Sequence, residues 1–175
     1  MTLTVRPAGA GDVAGIDRLM RQNFAAPAEA ELLMRLCLDG DMVLAMVAAD
    51  EAGGTLAGAA IFSRMHVELD GDPVAAVALA PLAVLPEYRR QGVGEALVSA
   101  GLEQLSRAGL GLCFVLGDPA YYARFGFKAE TAAGFDSPYA GDHFMAAVLT
   151  GRPMPPGVRG VAAHAPAFAA LGEDA

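Results

Sequence analysis

The chemistry of this chain starts at Arg89-Arg90-Gln91-Gly92-Val93-Gly94, where two guanidinium groups stand directly before two glycines one residue apart. Glycine there lets an anion approach backbone N–H groups that a Cβ would hold off, and arginine adds planar donors suited to phosphate oxygens. Downstream, Val93, Leu97, Ala100 and Leu105 recur at helical spacing, which puts the glycines at a helix start. The first N–H groups of a helix lack intrahelical partners and lie at the positive end of its dipole. The stretch predicts an anion site made by the main chain of Gln91, Gly92, Val93, Gly94 and Glu95, with a phosphate role for at least one of Arg89 and Arg90.

Upstream of that turn, Pro81 interrupts an otherwise continuous strand-like run from Val74 to Leu85. Proline donates nothing to a ladder, so the strand is expected to bulge or to lie at a sheet edge there. Unpaired main-chain groups of Leu82, Ala83 and Val84 would then face outward beside the anion turn. An extended ligand carrying amides and a diphosphate could pair with the first and dock its phosphates on the second. Coenzyme A has that layout.

These residues resemble a known family. Arg89-Arg90-Gln91-Gly92-Val93-Gly94 fits the R/Q-x-x-G-x-G/A signature of the GCN5-related N-acetyltransferases (GNAT), and Leu82-Ala83-Val84-Leu85-Pro86-Glu87-Tyr88 looks like that family's fourth strand and its exit. Asp118-Pro119-Ala120-Tyr121-Tyr122-Ala123-Arg124-Phe125-Gly126-Phe127 is similar to the family's Y-x-x-x-G-F element. The two together look like a bacterial subgroup of acetyltransferases whose substrates are unassigned. The resemblance is strongest from Val74 to Lys128. It implies an α/β (α+β) acyl-CoA N-acyltransferase fold: a central mixed sheet of six to seven strands, helices on both faces, and a splayed cleft between strands 4 and 5. It also implies acetyl-CoA as cosubstrate and direct transfer of the acyl group to an amine, in a small molecule or a peptide N-terminus.

Acyl transfer to nitrogen sets three demands. An alkyl ammonium with a pKa of about 10.4 is neutral in only about one molecule in 2,500 at pH 7, so it must lose a proton. The thioester carbonyl must be polarised, for which the backbone N–H near Val84 is the candidate. The departing thiolate must be protonated. For that acid we assign Tyr122, since a phenol can donate to a forming thiolate and its place four residues before Gly126 matches the family's tyrosine. The alternative is that Tyr122 only packs or bonds a backbone carbonyl; Tyr121 is the neighbour expected to turn into the core. Many family members carry a glutamate on the fourth strand as base, but Ala75-Ala76-Val77-Ala78-Leu79-Ala80 holds no acid. A water chain, Glu68, His66 or Asp118 remain as routes for the proton, with helix capping the competing role of Asp118. His66, His143 and His164 show no metal-ligand spacing, and no metal is expected. Cys113, in an apolar strand, is expected to be inert.

Two other readings stay open. One is a non-catalytic acyl-CoA-binding or regulatory domain, which the acid-free fourth strand permits. The other is a dinucleotide-binding oxidoreductase, against which stand Leu97 at the third glycine position of that fingerprint and the five residues between Pro86 and Gly92.

Composition sets the outer limits. A chain of 175 residues, 54% hydrophobic, with mean hydropathy +0.39, suits a single domain over residues 1–175 with a sizeable core. A net charge of −8 argues against a nucleic-acid partner. Met1-Thr2-Leu3 opens no charged-then-apolar leader, and the longest apolar run is too short for a bilayer, so no membrane partner is expected. Two cysteines without a C-x-x-C spacing fit a reducing cytoplasm.

The elements that must position these residues follow from periodicity. Thr2–Arg6 reads as a first strand, and Val13, Ile16, Leu19, Met20 and Phe24 as a helical stripe. A second helix runs from Ala28 to Leu38, with Leu32, Leu33 and Leu36 inward. Met42–Ala49 and Thr55–Val67 are strands flanking a glycine turn, and Leu69-Asp70-Gly71-Asp72 repeats the turn signal, giving an antiparallel meander. Leu112–Leu116 is a buried strand expected parallel to the fourth. A short helix starts at Asp118-Pro119, and Phe125-Gly126-Phe127 should return the chain to a strand. His143–Leu149 and Val158–Ala163 follow as strands. An exposed strand near the C-terminus would favour pairing of two chains into a homodimer. Met20, Phe24, Met34, Phe135 and Tyr139 are candidates for an acceptor lining, with core packing as the alternative.

Overall fold

The computed structural model describes residues 2–154 and 156–169. Its strands are β1 (Thr4–Pro7), β2 (Met42–Asp50), β3 (Thr55–Leu69), β4 (Asp72–Val84), β5 (Leu112–Leu116), β6 (Phe144–Val148) and β7 (Arg159–His164). Its helices are α1 (Val13–Asn23), α2 (Ala28–Asp39), α3 (Val93–Arg107), α4 (Pro119–Tyr122) and α5 (Ala129–Ala132). The strands form one sheet in the order β1-β2-β3-β4-β5-β6, with β7 also on β3. It is mixed: β1 and β2, β2 and β3, β3 and β7, and β5 and β6 pair antiparallel, while β4 and β5 pair parallel. The parallel ladder joins Ala76–Ala78 to Leu112–Phe114, and β4 then runs on to Val84.

Packing divides the chain into two compact units. The first takes in the residues up to Ser63, Ala80–Gly101 and the segment from Pro166; the second takes in Arg64–Leu79 and Leu102–Ala165.

In the first unit, α1 buries Ile16, Leu19 and Met20, and α2 buries Ala30, Leu32, Leu33 and Leu36, at the i, i+3, i+4 spacing of a core-facing stripe. Gly40, at φ 73°, ends α2 in the left-handed conformation that glycine adopts without a Cβ penalty. The start of α3 is fixed by Val93, Leu97 and Val98, all buried. Gly101 lets α3 lie against Phe62: a Cβ there would stand 2.5 Å from the Phe62 ring. Gly58 does the same for the end of β4, where a Cβ would meet the Ala83 carbonyl oxygen at 2.9 Å.

In the second unit the core gathers on Phe114, whose ring lies 5.3 Å from Phe144 in a stacked pair and 5.5 Å from Phe135 edge-on. Val67, Ala76, Leu112, Ala132 and Ala162 close around them. Aromatic residues carry the largest buried areas of any side chain, so this cluster dominates the local energetics.

Several expectations change here. Of the bulge or edge expected at Pro81, the edge is not found: β4 runs from Asp72 to Val84 with a cis Ala80–Pro81 peptide and lies between β3 and β5 in the strand order. After Phe127 the chain makes only a single bridge, Lys128 to Ala146, and then turns into α5. The strand near the C-terminus, expected to offer a free edge, is held by β3 on one side and bridged by Asp136 at Val161 on the other. Met20 and Phe135 are core residues, whereas Met34 is exposed.

Candidate active site

The residues singled out by sequence fall in two segments. In the first unit, Leu85 anchors the end of the strand by donating its N–H to the Ala57 carbonyl at 2.8 Å. Burial alternates along this end: Pro81, Ala83 and Leu85 are inside, Leu82 and Val84 half-exposed. Pro86–Tyr88 forms one tight turn, after which Arg90 takes φ 62° and Gly92 φ 79°. The first turn of α3 is closed by the Ala96 N–H on the Gly92 carbonyl at 3.0 Å. The N–H groups of Val93 and Gly94 come before that closure and lie at the positive end of a fifteen-residue helix.

The two arginines separate. Arg89 is turned back onto the protein: its Nε donates to the Val84 carbonyl at 3.0 Å and a terminal nitrogen donates to Asn23 Oδ1 at 2.8 Å. It ties the turn to the end of β4 and to the end of α1. Arg90 is exposed and makes no hydrogen bond or ion pair among the described residues. Gln91 donates from Nε2 to the Glu87 carbonyl at 3.0 Å, which braces the loop from inside.

The second segment belongs to the other unit and follows β5. Asp118 caps α4, its Oδ1 accepting from the Ala120 N–H at 3.0 Å, with Pro119 at the first helical position. Its carbonyl accepts from both Tyr121 and Tyr122, at 3.1 and 3.0 Å. Gly126, at φ 91°, ends the segment, and Phe127 is buried behind it. The Tyr122 ring sits edge-on to Tyr121 at 5.0 Å and to Phe127 at 5.7 Å. Tyr121 is not the inward partner that was expected: it is half-buried like Tyr122, under the guanidinium of Arg124 at 4.8 Å.

Burial pushes the Tyr122 phenol up to about 12, with Tyr121 and Cys113 adding to the shift. At neutral pH the hydroxyl therefore keeps its proton and acts as a donor. Its oxygen has no hydrogen-bond partner among the described residues. Cys113 is wholly buried, and burial pushes its thiol up as well, which leaves it protonated and unreactive.

The base candidates are not gathered on one group. His66 and Glu68 pair with each other at 3.3 Å on β3, and Asp118 is engaged in its cap. The only acid on β4 is Asp72, at its exposed start. No cluster of metal-ligating side chains occurs among the described residues. Sequence reading missed Asn23 as the partner of Arg89, a contact 66 positions apart in the chain for which spacing holds no signal. It also missed Gly117, which reads as a turn glycine but lies against the Tyr122 ring.

A sequence profile described as the acetyltransferase (GNAT) domain matches residues 4–129. The chain belongs to the GNAT acetyltransferase family. It is 43% identical over 125 residues to the Escherichia coli K12 protein named uncharacterized N-acetyltransferase YhbS, covering 71% of this chain and 72% of that one. It is 33% identical over 149 residues to uncharacterized N-acetyltransferase YjhQ of the same organism, with 82% of each chain covered. Among solved structures, Escherichia coli YhbS in complex with CoA superposes with a TM-score of 0.85 at 32% identity, over 95% of this chain and 92% of that one. A GNAT family acetyltransferase from Brucella melitensis in complex with acetyl-CoA gives 0.76 at 29% identity, over 95% and 98%. The GNAT chain described here is an N-acetyltransferase. No helix among its described residues is long and apolar enough to cross a membrane.

Proposed function

We propose that this enzyme uses acetyl-CoA and transfers the acetyl group directly to an amine of a small molecule or of a peptide N-terminus, in a ternary complex, within the cytoplasm. The observation that carries the reading is the left-handed pair Arg90 and Gly92 ahead of α3. It turns the main chain of Gln91, Gly92, Val93, Gly94 and Glu95 into a helix start whose donors and dipole fit a diphosphate. Arg90 adds a charge free to meet phosphate, while Arg89 holds the turn in shape. The backbone of Leu82, Ala83 and Val84 would meet the amides of the pantetheine arm. That two similar structures hold CoA and acetyl-CoA supports the same ligand here.

Acetyl-CoA supplies an activated acyl group as a thioester. The Val84 N–H polarises the carbonyl, the amine nitrogen bonds to the acyl carbon as the C–S bond breaks, and the Tyr122 phenol gives its proton to the departing sulfur. The proton lost by the amine leaves through water and restores the phenol. Free cysteines at Cys37 and Cys113 suit a reducing compartment.

Thermal-shift measurement with acetyl-CoA, CoA and NAD tests the cosubstrate: the first two should stabilise and NAD should not. Free-thiol release with a panel of amines tests turnover. Release with none of them, despite binding, would favour a non-catalytic acyl-CoA-binding domain, which the acid-free run from Pro73 to Val84 would then explain. Tyr122→Phe should lose turnover and keep CoA affinity.

A further inference from the structure

We propose that Gly117, held in place by His143, is a positioning residue that sets where the Tyr122 phenol stands; this rests on the assignment of Tyr122 as the acid. Gly117 follows the last residue of β5 and precedes the Asp118 cap. Its φ lies outside the left-handed range, so its backbone is one that any residue can adopt. The conformation does not require glycine. The space does: a Cβ at Gly117 would stand 2.6 Å from Tyr122 Cε2, 3.2 Å from Cδ2 and 3.6 Å from Cζ.

The ring cannot yield freely. Tyr121 and Phe127 pack edge-on against it, and Phe125 lies 6.4 Å away. Gly117 is itself fixed by a reciprocal pair of hydrogen bonds. Its N–H donates to the His143 carbonyl at 3.0 Å, and its carbonyl accepts from His143 Nδ1 at 3.1 Å, the contact of the tautomer protonated at that nitrogen. The glycine is therefore a flat wall at a set height, and the ring rests on it.

A methyl group at Gly117 must move the ring edge from 2.6 Å to at least 3.4 Å, the start of ordinary contact, a displacement of 0.8 Å. Cε2 is bonded to the carbon that carries the hydroxyl, so the displacement reaches the proton donor. Misplacing a reacting group by about 1 Å lowers rates on the order of 100-fold.

The experiment is a double-mutant cycle on kcat and on KM for acetyl-CoA, using Gly117→Ala, Tyr122→Phe and the pair. Gly117→Ala should lower kcat about 10- to 100-fold with KM changed less than about twofold. Added to Tyr122→Phe, it should change kcat by less than about twofold, since there is no hydroxyl left to misplace. His143→Ala, which keeps the backbone bond to Gly117 but removes the Nδ1 contact, should lower kcat by a smaller factor, and His143→Asn, which keeps a side-chain N–H, should recover part of it. These variants should do so with melting temperatures that show a folded protein. If Tyr122→Phe is impaired while Gly117→Ala keeps the parent kcat, or if the two losses multiply, the positioning role is overturned and the acid remains. If Tyr122→Phe itself has parent rates, the acid assignment fails first and takes the positioning role with it.

Discussion

Replacing Gly92 by alanine separates the two uses that the chain makes of that residue. Its φ is 79°, and a Cβ built there meets nothing within 4 Å. The substitution thus crowds no protein atom, and its cost to folding is the left-handed conformation alone, about 1–2 kcal/mol. For a chain of this size that lowers the melting temperature by roughly 2–8 °C. The cost to CoA binding is separate. The Cβ projects into open space where a diphosphate is proposed to approach main-chain N–H groups. A hydrogen bond to a charged group contributes about 1.5–3 kcal/mol, so losing even one weakens affinity roughly 10- to 150-fold. Gly109 supplies the control. It too is left-handed, at φ 88°, with nothing within 4 Å of its Cβ, and it follows the other end of α3, about 22 Å along the helix axis. Gly109→Ala should show the same loss of melting temperature and unchanged CoA affinity. Isothermal titration with CoA, alongside thermal denaturation of both variants, reads each quantity. If Gly92→Ala binds CoA within twofold of the parent, or if Gly109→Ala weakens binding equally, the glycine cradle is wrong.

Three further outcomes follow from burial and packing. Gly101→Ala gains about 1 kcal/mol of helix propensity but drives a methyl group to 2.5 Å from the fully buried Phe62 ring, and overpacking of that kind costs about 1–3 kcal/mol. A net loss in urea denaturation is expected, and a gain would show slack around Phe62. Ser63 is wholly buried and its Oγ has no partner among the described residues, so Ser63→Ala should raise stability by about 1 kcal/mol in the same assay; a loss would show that the hydroxyl is satisfied. Burial pushes His164 down to about 4, below its ordinary 6.5. The unfolded chain therefore takes up this proton first, and stability falls as pH is lowered from 6.5 towards 4, by at most about 3 kcal/mol. Denaturation series across that range should show the slope in the parent and its reduction in His164→Gln; equal slopes would remove His164 as the source.

How much of this was legible depended on whether the determinant was local. β5 matches its expected bounds, Leu112 to Leu116, because a short apolar run closed by Gly111 and Gly117 has one economical reading. The α3 stripe and the Asp118 cap were legible for the same reason: a helical period and an Asp-Pro start are written in neighbouring residues. The place of β4 was not. Pro81 predicts a bulge or an edge on local grounds, and the edge is not found, because the position of a strand in a sheet is decided by its partners, and those lie in β3 and β5. The turn after Phe127 failed similarly. Ala129-Glu130-Thr131-Ala132 is too short for periodicity to register as a helix, and it makes one turn, with the Ala133 N–H closing on the Ala129 carbonyl. At the site, the type of residue was readable and its orientation was not. Two adjacent arginines look equivalent in sequence, and the Val84 carbonyl and Asn23, brought in by the fold, separate the one that braces from the one that faces water.

The proton inventory narrows what kind of amine such a site can serve. Tyr122 and Cys113 are both pushed towards their protonated forms by burial, so neither can collect a proton from an incoming ammonium at neutral pH. Along β4, where many relatives of this fold place a carboxylate, the residues from Pro73 to Val84 are apolar. With His66 and Glu68 paired to each other and Asp118 capping α4, the proposed reaction leaves deprotonation to the acceptor's own equilibrium with water. For an alkyl amine near pKa 10.4 the neutral fraction at pH 7 is about one in 2,500, whereas for an α-amino group near 7.7–8.0 it is about one in ten. That difference, over two hundredfold in available nucleophile, exceeds the 10- to 200-fold that a missing methylene contact makes in an apolar pocket. On the proposed reaction, a free-thiol assay at pH 7 should therefore show faster release with weakly basic amines and peptide N-termini than with lysine-like ones, and equal rates would show that a group of the protein takes the proton.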